Sequence, residues 1–406
     1  MIKIAVLGYG TVGSGVVEVI EKNKDMVNKK SGEELEVKYI LDLLDFPDDP
    51  YGDRVIHDFG QILADDEVKI ICETMGGVGK AYEFTKQALS AGKSVCTSNK
   101  EMVAAHGPEL LALAKENSCN YLFEASVGGG IPIIRPMNES LTAERIETIT
   151  GILNGTTNYI LSKMEYEGAD YDTVLKAAQD KGYAERNPEA DVEGYDACRK
   201  IAILSSLMTG KNVDYRKIYT EGITKVESRD FEYAKQLGMS IKLLAVSKDV
   251  EGKTLAMVSP FLIDGDHPLH MVNGVFNAVF VRGNMLGDAM FYGRGAGKLP
   301  TASAVVSDVI DCARHIGKEI MCFWDAEEAE LLSIDQVERR FFFRVKEEGR
   351  DKARALFGEG LEEVKLTGVS EECGFITPVM TEAAFADNYG KLEGFSVGGR
   401  LRLERM

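Results

Sequence analysis

The stretch EGYDACRKIAILSSLM, Glu193 to Met208, sets a carboxylate and an ammonium four residues apart at the edge of an apolar stripe. Ala197, Ile201, Leu204 and Met208 recur at helical spacing, and residues four apart stack one above the other on a helix. Asp196 and Lys200 therefore share one side of the helix and run straight into the apolar pair Ile203 and Leu207. Dehydrating two charges there is costly. Glu185, Asp191 and Glu193 lie just upstream, in KGYAERNPEADVEG. Such a cluster is ordinarily a solvated face, but the apolar continuation argues against that for Asp196 and Lys200. A lysine titrates near 10.4 in water; burial lowers that value and a neighbouring carboxylate raises it.

A second chemical signal stands at the start of the chain. IKIAVL is β-rich, GYGTVG follows as Gly8-x-Gly10-x-x-Gly13, and SGVVEVIEKN has helical composition. In that strand–glycine–helix context the glycines permit a tight turn and close approach to a pyrophosphate at the helix N-terminus. A second strand, EVKYILDLLD, carries Asp42 near its end, either as the partner of an adenosine ribose hydroxyl or as a solvated loop acid. Its neighbours Leu43 and Leu44 carry no cation for a 2′-phosphate, so NAD is expected to serve at least as well as NADP.

These residues need elements to hold them. VKIICETMGG ends a strand at Glu73-Thr74, AYEFTKQALSAGK is an amphipathic helix, and SVCTSNK is a strand ending at Lys100. HGPELLALAKENS and NYLFEAS repeat the pattern. Strands alternating with helices predict a doubly wound parallel sheet, with ligands beyond the strand C-termini, where Thr74 and Lys100 stand. Lys100 is either a surface lysine at a helix start or a cation facing substrate or nicotinamide.

EASVGGGIPIIRP, from Glu124, is glycine-rich but has no following Lys-Ser/Thr, so it reads as a crossover out of this domain. Carbonyls exposed in such a bend bind a hard cation, or the bend is empty. ERIETITGILNGTTNYILSKM gives a strand, a polar knot from Asn154 to Asn158, and a helix that Thr156 or Thr157 would cap. A lining for a polar ligand is one reading of that knot. AMVSPFLIDGDHPLHMVNGVFNAVFVRGNMLGDAMFYG alternates strands and turns and implies a mixed sheet; GRGAGKLPTASAVVSDVIDCARH returns a glycine loop and a helix.

The gross numbers exclude several classes. A net charge of −18 argues against nucleic acid or an anionic membrane as the main partner. Seven cysteines are scattered singly with no CxxC, which fits reduced thiols in a cytoplasmic protein better than a disulfide framework or a zinc site. No apolar run approaches the ~18 residues of a membrane helix, and MIKIAVLGYG lacks the basic start of a signal peptide.

GYGTVG, SNKEMVAAHGPEL, EASVGGGIPII, GILNGTTNYIL, GYAE…DVEGYDACRKIAIL and GRGAGKLPTASAVVSDVI occur in this order and together resemble homoserine dehydrogenases of the stand-alone bacterial form. The resemblance spans residues 1 to about 325. It implies NAD(P)-dependent interconversion of L-homoserine and L-aspartate 4-semialdehyde, in threonine, methionine and isoleucine biosynthesis, by a homodimer or homotetramer. It implies Lys200 as the catalytic lysine, Lys100 as a second active-site lysine, and Asp196, Asp191 and Glu185 on the substrate, Glu185 at its amino group. Gly8, Gly10, Thr11, Val12, Gly13, Thr74 and the Gly297 loop fall to the cofactor. Main-chain carbonyls of Glu124, Val127, Gly129 and Ile131 match a monovalent-cation site (Na+ or K+) of some members. The implied domains are 1–135 plus 300–325 for nucleotide, 136–299 for substrate and dimerisation, and 336–406 for a tail.

With this resemblance in hand, Lys200 is the expected proton donor, since hydride addition to an aldehyde leaves an alkoxide that needs one. The five histidines lie in no comparable motif. The tail, read as separate from about Asp335, has a βαββαβ-like order and resembles an ACT regulatory domain. It departs from that pattern where KEEGR replaces the usual Asp-x-Pro-Gly turn. Weak or absent threonine inhibition is expected, with catalysis surviving deletion of the tail. Two readings compete: an acylating semialdehyde dehydrogenase using a Cys nucleophile, for which Cys96 is the candidate, and a non-enzymatic dinucleotide sensor.

Overall fold

The computed structural model describes residues 1–404. Strands β1 (Ile2–Leu7), β2 (Leu35–Leu41), β3 (Val55–Ile56), β4 (Val68–Glu73), β5 (Ser94–Thr97) and β6 (Tyr121–Leu122) form one sheet in the order β3-β2-β1-β4-β5-β6. Every pairing is parallel. β1 is apolar on both faces because both are covered. Ile4 and Val6 join Val16, Val17 and Ile20 of the helix Thr11–Lys22 in one core. Ala5 and Leu7 join the core on the other face. The strand order reverses between β1 and β4, which opens a crevice at their C-terminal ends.

The helix Lys298–Arg314 lies against this sheet, with Ala302, Val305, Val306 and Val309 buried among the same residues as Val16 and Ile20. Its approach needs Gly15, where a Cβ would come within 2.9 Å of Lys298 O.

A second, ten-stranded sheet is mixed. From one edge it runs through Gly287–Arg294, Phe276–Gly283, Ile146–Ile152, Met239–Val250 and Lys253–Asp264. The helices Gly155–Glu167 and Tyr195–Thr209 pack on one face, burying Ile160, Leu161, Ile201 and Leu204 against Ile149, Leu243 and Val279.

The same sheet then continues into the tail, through Ser396–Glu404, Phe341–Lys346, Glu372–Ile376 and Glu362–Val364. With the helices Arg350–Phe357 and Glu382–Gly390, these strands give the βαββαβ order read from the sequence. The tail is not separate, however. Phe261 pairs with Arg402 and Leu262 with Leu403 in parallel, and Phe342, Leu401 and Leu403 belong to the same core as Ile149 and Leu243. Only Phe341, Phe343, Phe375, Phe385 and their neighbours form a core of the tail's own. The KEEGR segment is a 3-10 turn, Glu347–Gly349, in which a Cβ on Gly349 would meet Phe395 Cβ at 2.6 Å.

Candidate active site

The helix Tyr195–Thr209 begins at Gly194, whose φ of 82° suits glycine, and turns Asp196 and Lys200 into a cavity of about 510 Å³. That cavity lies between the parallel sheet and the mixed sheet: Val12, Ser98, Lys100 and Ser126 come from one side, Asn154, Gly155, Asp191, Asp196, Lys200 and Val275 from the other. Gly129 and the Arg294–Gly297 loop close its rim.

Asp196 is buried, and its carboxylate is held by two cations and one amide. Oδ2 accepts from Lys200 Nζ at 2.7 Å and from Asn154 Nδ2 at 2.9 Å. Oδ1 faces Lys100 Nζ at 2.9 Å. Burial alone would raise its pKa, but the charges of Lys200 and Lys100 win and hold it well below the ordinary carboxylate range. Asp196, in turn, is the main reason that Lys100 titrates above the usual lysine value.

Lys200 Nζ spends one further donor on Leu153 O, at 2.8 Å. An ammonium has three donors, so one remains for the cavity. Asp191 shares Asn154 Nδ2, at 2.7 Å, and burial followed by the charge of Asp196 raises its pKa. Asn154 is also the cap of the helix Gly155–Glu167, its Oδ1 accepting from Thr157 N at 2.8 Å. The cap expected at Thr156 or Thr157 is thus two or three residues earlier, at Asn154. A single amide organises the helix start and both carboxylates.

At the glycine turn after β1, Gly8 has φ 87° and a Cβ on Gly13 would sit 1.9 Å from Gly8 O, so the turn tolerates side chains at neither position. A Cβ on Gly10 would meet nothing within 4 Å, which leaves open space in front of the turn. Gly10 offers no side-chain cap, so the first amides of the helix Thr11–Lys22 remain for an anion. Thr74 lies behind this turn, its hydroxyl donating to Gly8 O at 2.9 Å. Asp42 follows β2 and accepts from Tyr9 N at 2.6 Å and Leu44 N at 3.0 Å.

Glu124 is buried, and its carboxylate accepts from Ile133 N, Ile134 N and Arg135 N at 2.6, 2.9 and 2.6 Å. Burial raises its pKa in spite of these bonds. They fold the loop 124–135 so that Gly128 and Gly129 take φ of 75° and 58°. The carbonyls of Val127, Gly129 and Ile131 accept none of the hydrogen bonds formed among the described residues. No group of three or more His, Cys, Asp or Glu able to hold a metal occurs among those residues.

Two expectations need adjustment. Glu185 is exposed and does not line the cavity, although Gly182 and Tyr183 do. Cys96 is fully buried on β5, its Sγ 3.6 Å from Cys312 Sγ, and burial holds its thiol well above the usual range. It is no nucleophile. Sequence reasoning missed Leu153 O and Arg294; the signal for the latter was an arginine inside GRGAG. Arg294 lines the cavity with its guanidinium 5.7 Å from the Phe276 ring centre.

Comparison with known proteins bears on the geometry. Residues 8–124 match the family profile "Homoserine dehydrogenase, NAD binding domain" and residues 132–310 match "Homoserine dehydrogenase". The homoserine dehydrogenase of Bacillus subtilis is 43% identical over 322 residues, covering 78% of this chain and 73% of that protein. The crystal structure of a homoserine dehydrogenase from Thiobacillus denitrificans superposes with a TM-score of 0.89 at 34% identity, covering 99% of this chain and 98% of that one. A hyperthermophilic archaeal homoserine dehydrogenase in complex with NADPH gives 0.64 at 30% identity, over 77% of this chain and 97% of its own.

Proposed function

Because the chain belongs to the homoserine dehydrogenase family, we propose that Lys200 carries the proton in its reaction, held in place by Asp196. The protein is an NAD(P)-dependent oxidoreductase that interconverts L-homoserine and L-aspartate 4-semialdehyde. Hydride chemistry would be supplied by a nicotinamide cofactor held at the glycine turn after β1. What remains for the protein is to hold both ligands and manage one proton.

The open space before Gly10 and the uncapped helix start suit a pyrophosphate. Asp42 has lone pairs left for a ribose hydroxyl after accepting from Tyr9 and Leu44. The two leucines after it, both exposed, add no cation, which supports use of NAD at least as readily as NADP.

The substrate head is an ammonium and a carboxylate. Asp191, on the cavity wall, suits the ammonium, with Glu185 brought in from the neighbouring Gly182–Glu185 segment; Arg294 suits the carboxylate. The reacting oxygen then falls to the free donor of Lys200. In reduction, the Lys200 ammonium gives its proton to the oxygen as the carbonyl becomes an alcohol. In oxidation, a neutral Lys200 takes the hydroxyl proton. Asp196 and Leu153 O fix Nζ at one point, so no reorganisation is needed as charge develops. The observation that carries this reading is the Lys200–Asp196–Lys100 cluster inside the cavity.

Three finer assignments follow the same reading. The unbonded carbonyls of Val127, Gly129 and Ile131, with that of Glu124, would hold a Na+ or K+ ion and stiffen the cavity rim. The edge strand Gly287–Arg294 leaves Met290 and Tyr292 exposed, beside Met285 and Leu286, and supports pairing into a homodimer or a homotetramer. The strand order of the tail supports an ACT-like regulatory unit.

The test of the activity is nicotinamide reduction with L-homoserine as substrate, with and without inorganic phosphate. Reduction independent of phosphate is expected. A phosphate requirement with the semialdehyde as substrate would indicate acylating chemistry, and no turnover at all would indicate a sensor.

A further inference from the structure

Arg402 lies in the last strand of the tail and is fully buried. Its Nε and Nη2 clasp both oxygens of Glu382, at 2.6 and 2.9 Å. Its Nη1 donates to Glu221 Oε2 at 2.7 Å and to Ser259 Oγ at 2.5 Å, and Nη2 reaches Tyr219 OH at 3.0 Å. Glu221 is thus tied from outside its own domain. Burial pushes its carboxyl up, and Arg402 first, with Arg400 and the Tyr219 hydroxyl, more than reverses that.

Glu221 opens a turn with almost no slack toward the site. Its amide donates to Val258 O at 2.9 Å, and Ile223 N donates to Val192 O at 2.8 Å. Between them, a Cβ on Gly222 would stand 2.1 Å from Val192 O and 2.4 Å from Glu193 Cα. Backbone lies directly on backbone there. On the far side, a Cβ on Gly194 would meet Thr220 Cγ2 at 3.2 Å. Residues 192–194 are the only chain between Asp191 and the helix that carries Asp196 and Lys200.

We propose that Arg402 is a positioning residue for the catalytic helix: by fixing Glu221 it presses the Glu221–Ile223 turn against Val192–Gly194 and so sets where Asp191 and Asp196 stand. The tail is then part of the scaffold of the substrate site, whatever else it binds. A rigid contact chain transmits a displacement because packed backbone has no room to absorb it, and small misplacements of reacting groups are expensive. The inference rests on Asp196 and Lys200 being the catalytic pair, but the two fail differently. If that pair is wrong, Lys200→Ala stays active; if only this inference is wrong, Lys200→Ala is dead while Arg402 variants are normal.

The experiment uses the full-length enzyme and four single variants: Arg402→Met, Arg402→Lys, Glu221→Gln and Arg344→Met. Arg344 is an equally buried tail arginine, bound to Asp230, Glu227 and Glu372 and to no residue of the Glu221–Ile223 turn, and serves as the control for general loosening of the tail. Homoserine kcat/KM, cofactor KM and Tm are measured for each. For Arg402→Met and Glu221→Gln, homoserine kcat/KM should fall about tenfold or more while cofactor KM moves less than about twofold. Arg402→Lys should recover part of the loss, and the double variant Arg402→Met with Glu221→Gln should be no worse than the poorer single one. Arg344→Met should lower Tm with homoserine kcat/KM retained. Unchanged homoserine kcat/KM in a folded Glu221→Gln protein would overturn the proposal, as would an equal loss in Arg344→Met. Should Arg402→Met fail to fold, Glu221→Gln alone decides.

Discussion

Lys200 Nζ stands 2.7 Å from Asp196 Oδ2, one helical turn back, and both residues are buried. A buried ion pair of this kind adds little net stability, because desolvation offsets its attraction, but breaking it on one side is costly. Here a second lysine, Lys100, shares the carboxylate from the other domain. Asp196 is therefore one point at which the two sheets' domains are electrostatically joined, beside the ion pair of Arg199 with Glu101 at 3.5 Å.

Asp196→Asn should lower homoserine turnover by roughly 10², since it frees both lysines from their common anchor. It should also flatten the acid limb of stability. The folded pKa of Asp196 is depressed, so its contribution is present above the unfolded value of 3.8 and is lost as pH falls through the folded one. Tm measured across pH tests this: the gap between wild type and Asp196→Asn should be full at neutral pH and narrow below about pH 4. A gap that is constant with pH would show that the carboxylate is not ionised against its partners.

On the proposed reading, Asp191→Asn and Glu185→Gln should each raise homoserine KM about tenfold, with little change in cofactor affinity, because each would remove a charge assigned to the substrate ammonium. Asp191 already faces the cavity, whereas Glu185 must be carried inward with Gly182 and Tyr183. Steady-state kinetics varying one substrate at a time distinguish them. A silent Glu185→Gln beside an impaired Asp191→Asn would leave the ammonium to Asp191 alone.

NAD should support turnover at least as well as NADP. Asp42 directly follows β2 without a cation after it, and a 2′-phosphate there would meet a carboxylate. The ratio of kcat/KM for the two cofactors measures this, and a strong preference for NADP would refute it.

Deletion of residues 336–406 should impair the enzyme, contrary to what a separable regulatory module would allow. The deletion bares one edge of the strand Lys253–Asp264, at Phe261–Ile263, and strips Glu221 of Arg402. Exposed strand edges also promote association. Assay and light scattering of the truncated protein check this. A soluble, fully active truncation would show that the tail is dispensable.

How much of this was legible in the sequence depended on the range of each interaction. The glycine turn, the alternating parallel units and the Asp196–Lys200 pair are local patterns, and the structure places them as read. The role of Asn154 is set by partners 37 and 42 residues away, so a run of small polar residues announced a site but not which residue organised it. Leu153 O is backbone and has no signature. The fusion of the tail was hidden for a similar reason: Leu262 and Leu403 are ordinary strand residues until their pairing is known.

The most direct test of the central claim is the turnover of Lys200→Ala with L-homoserine, measured beside its affinity for the nicotinamide cofactor. Loss of the proton-transferring group predicts a fall in kcat of roughly 10²–10⁴ with cofactor affinity little changed. Near-wild-type turnover in a folded Lys200→Ala protein would contradict the account.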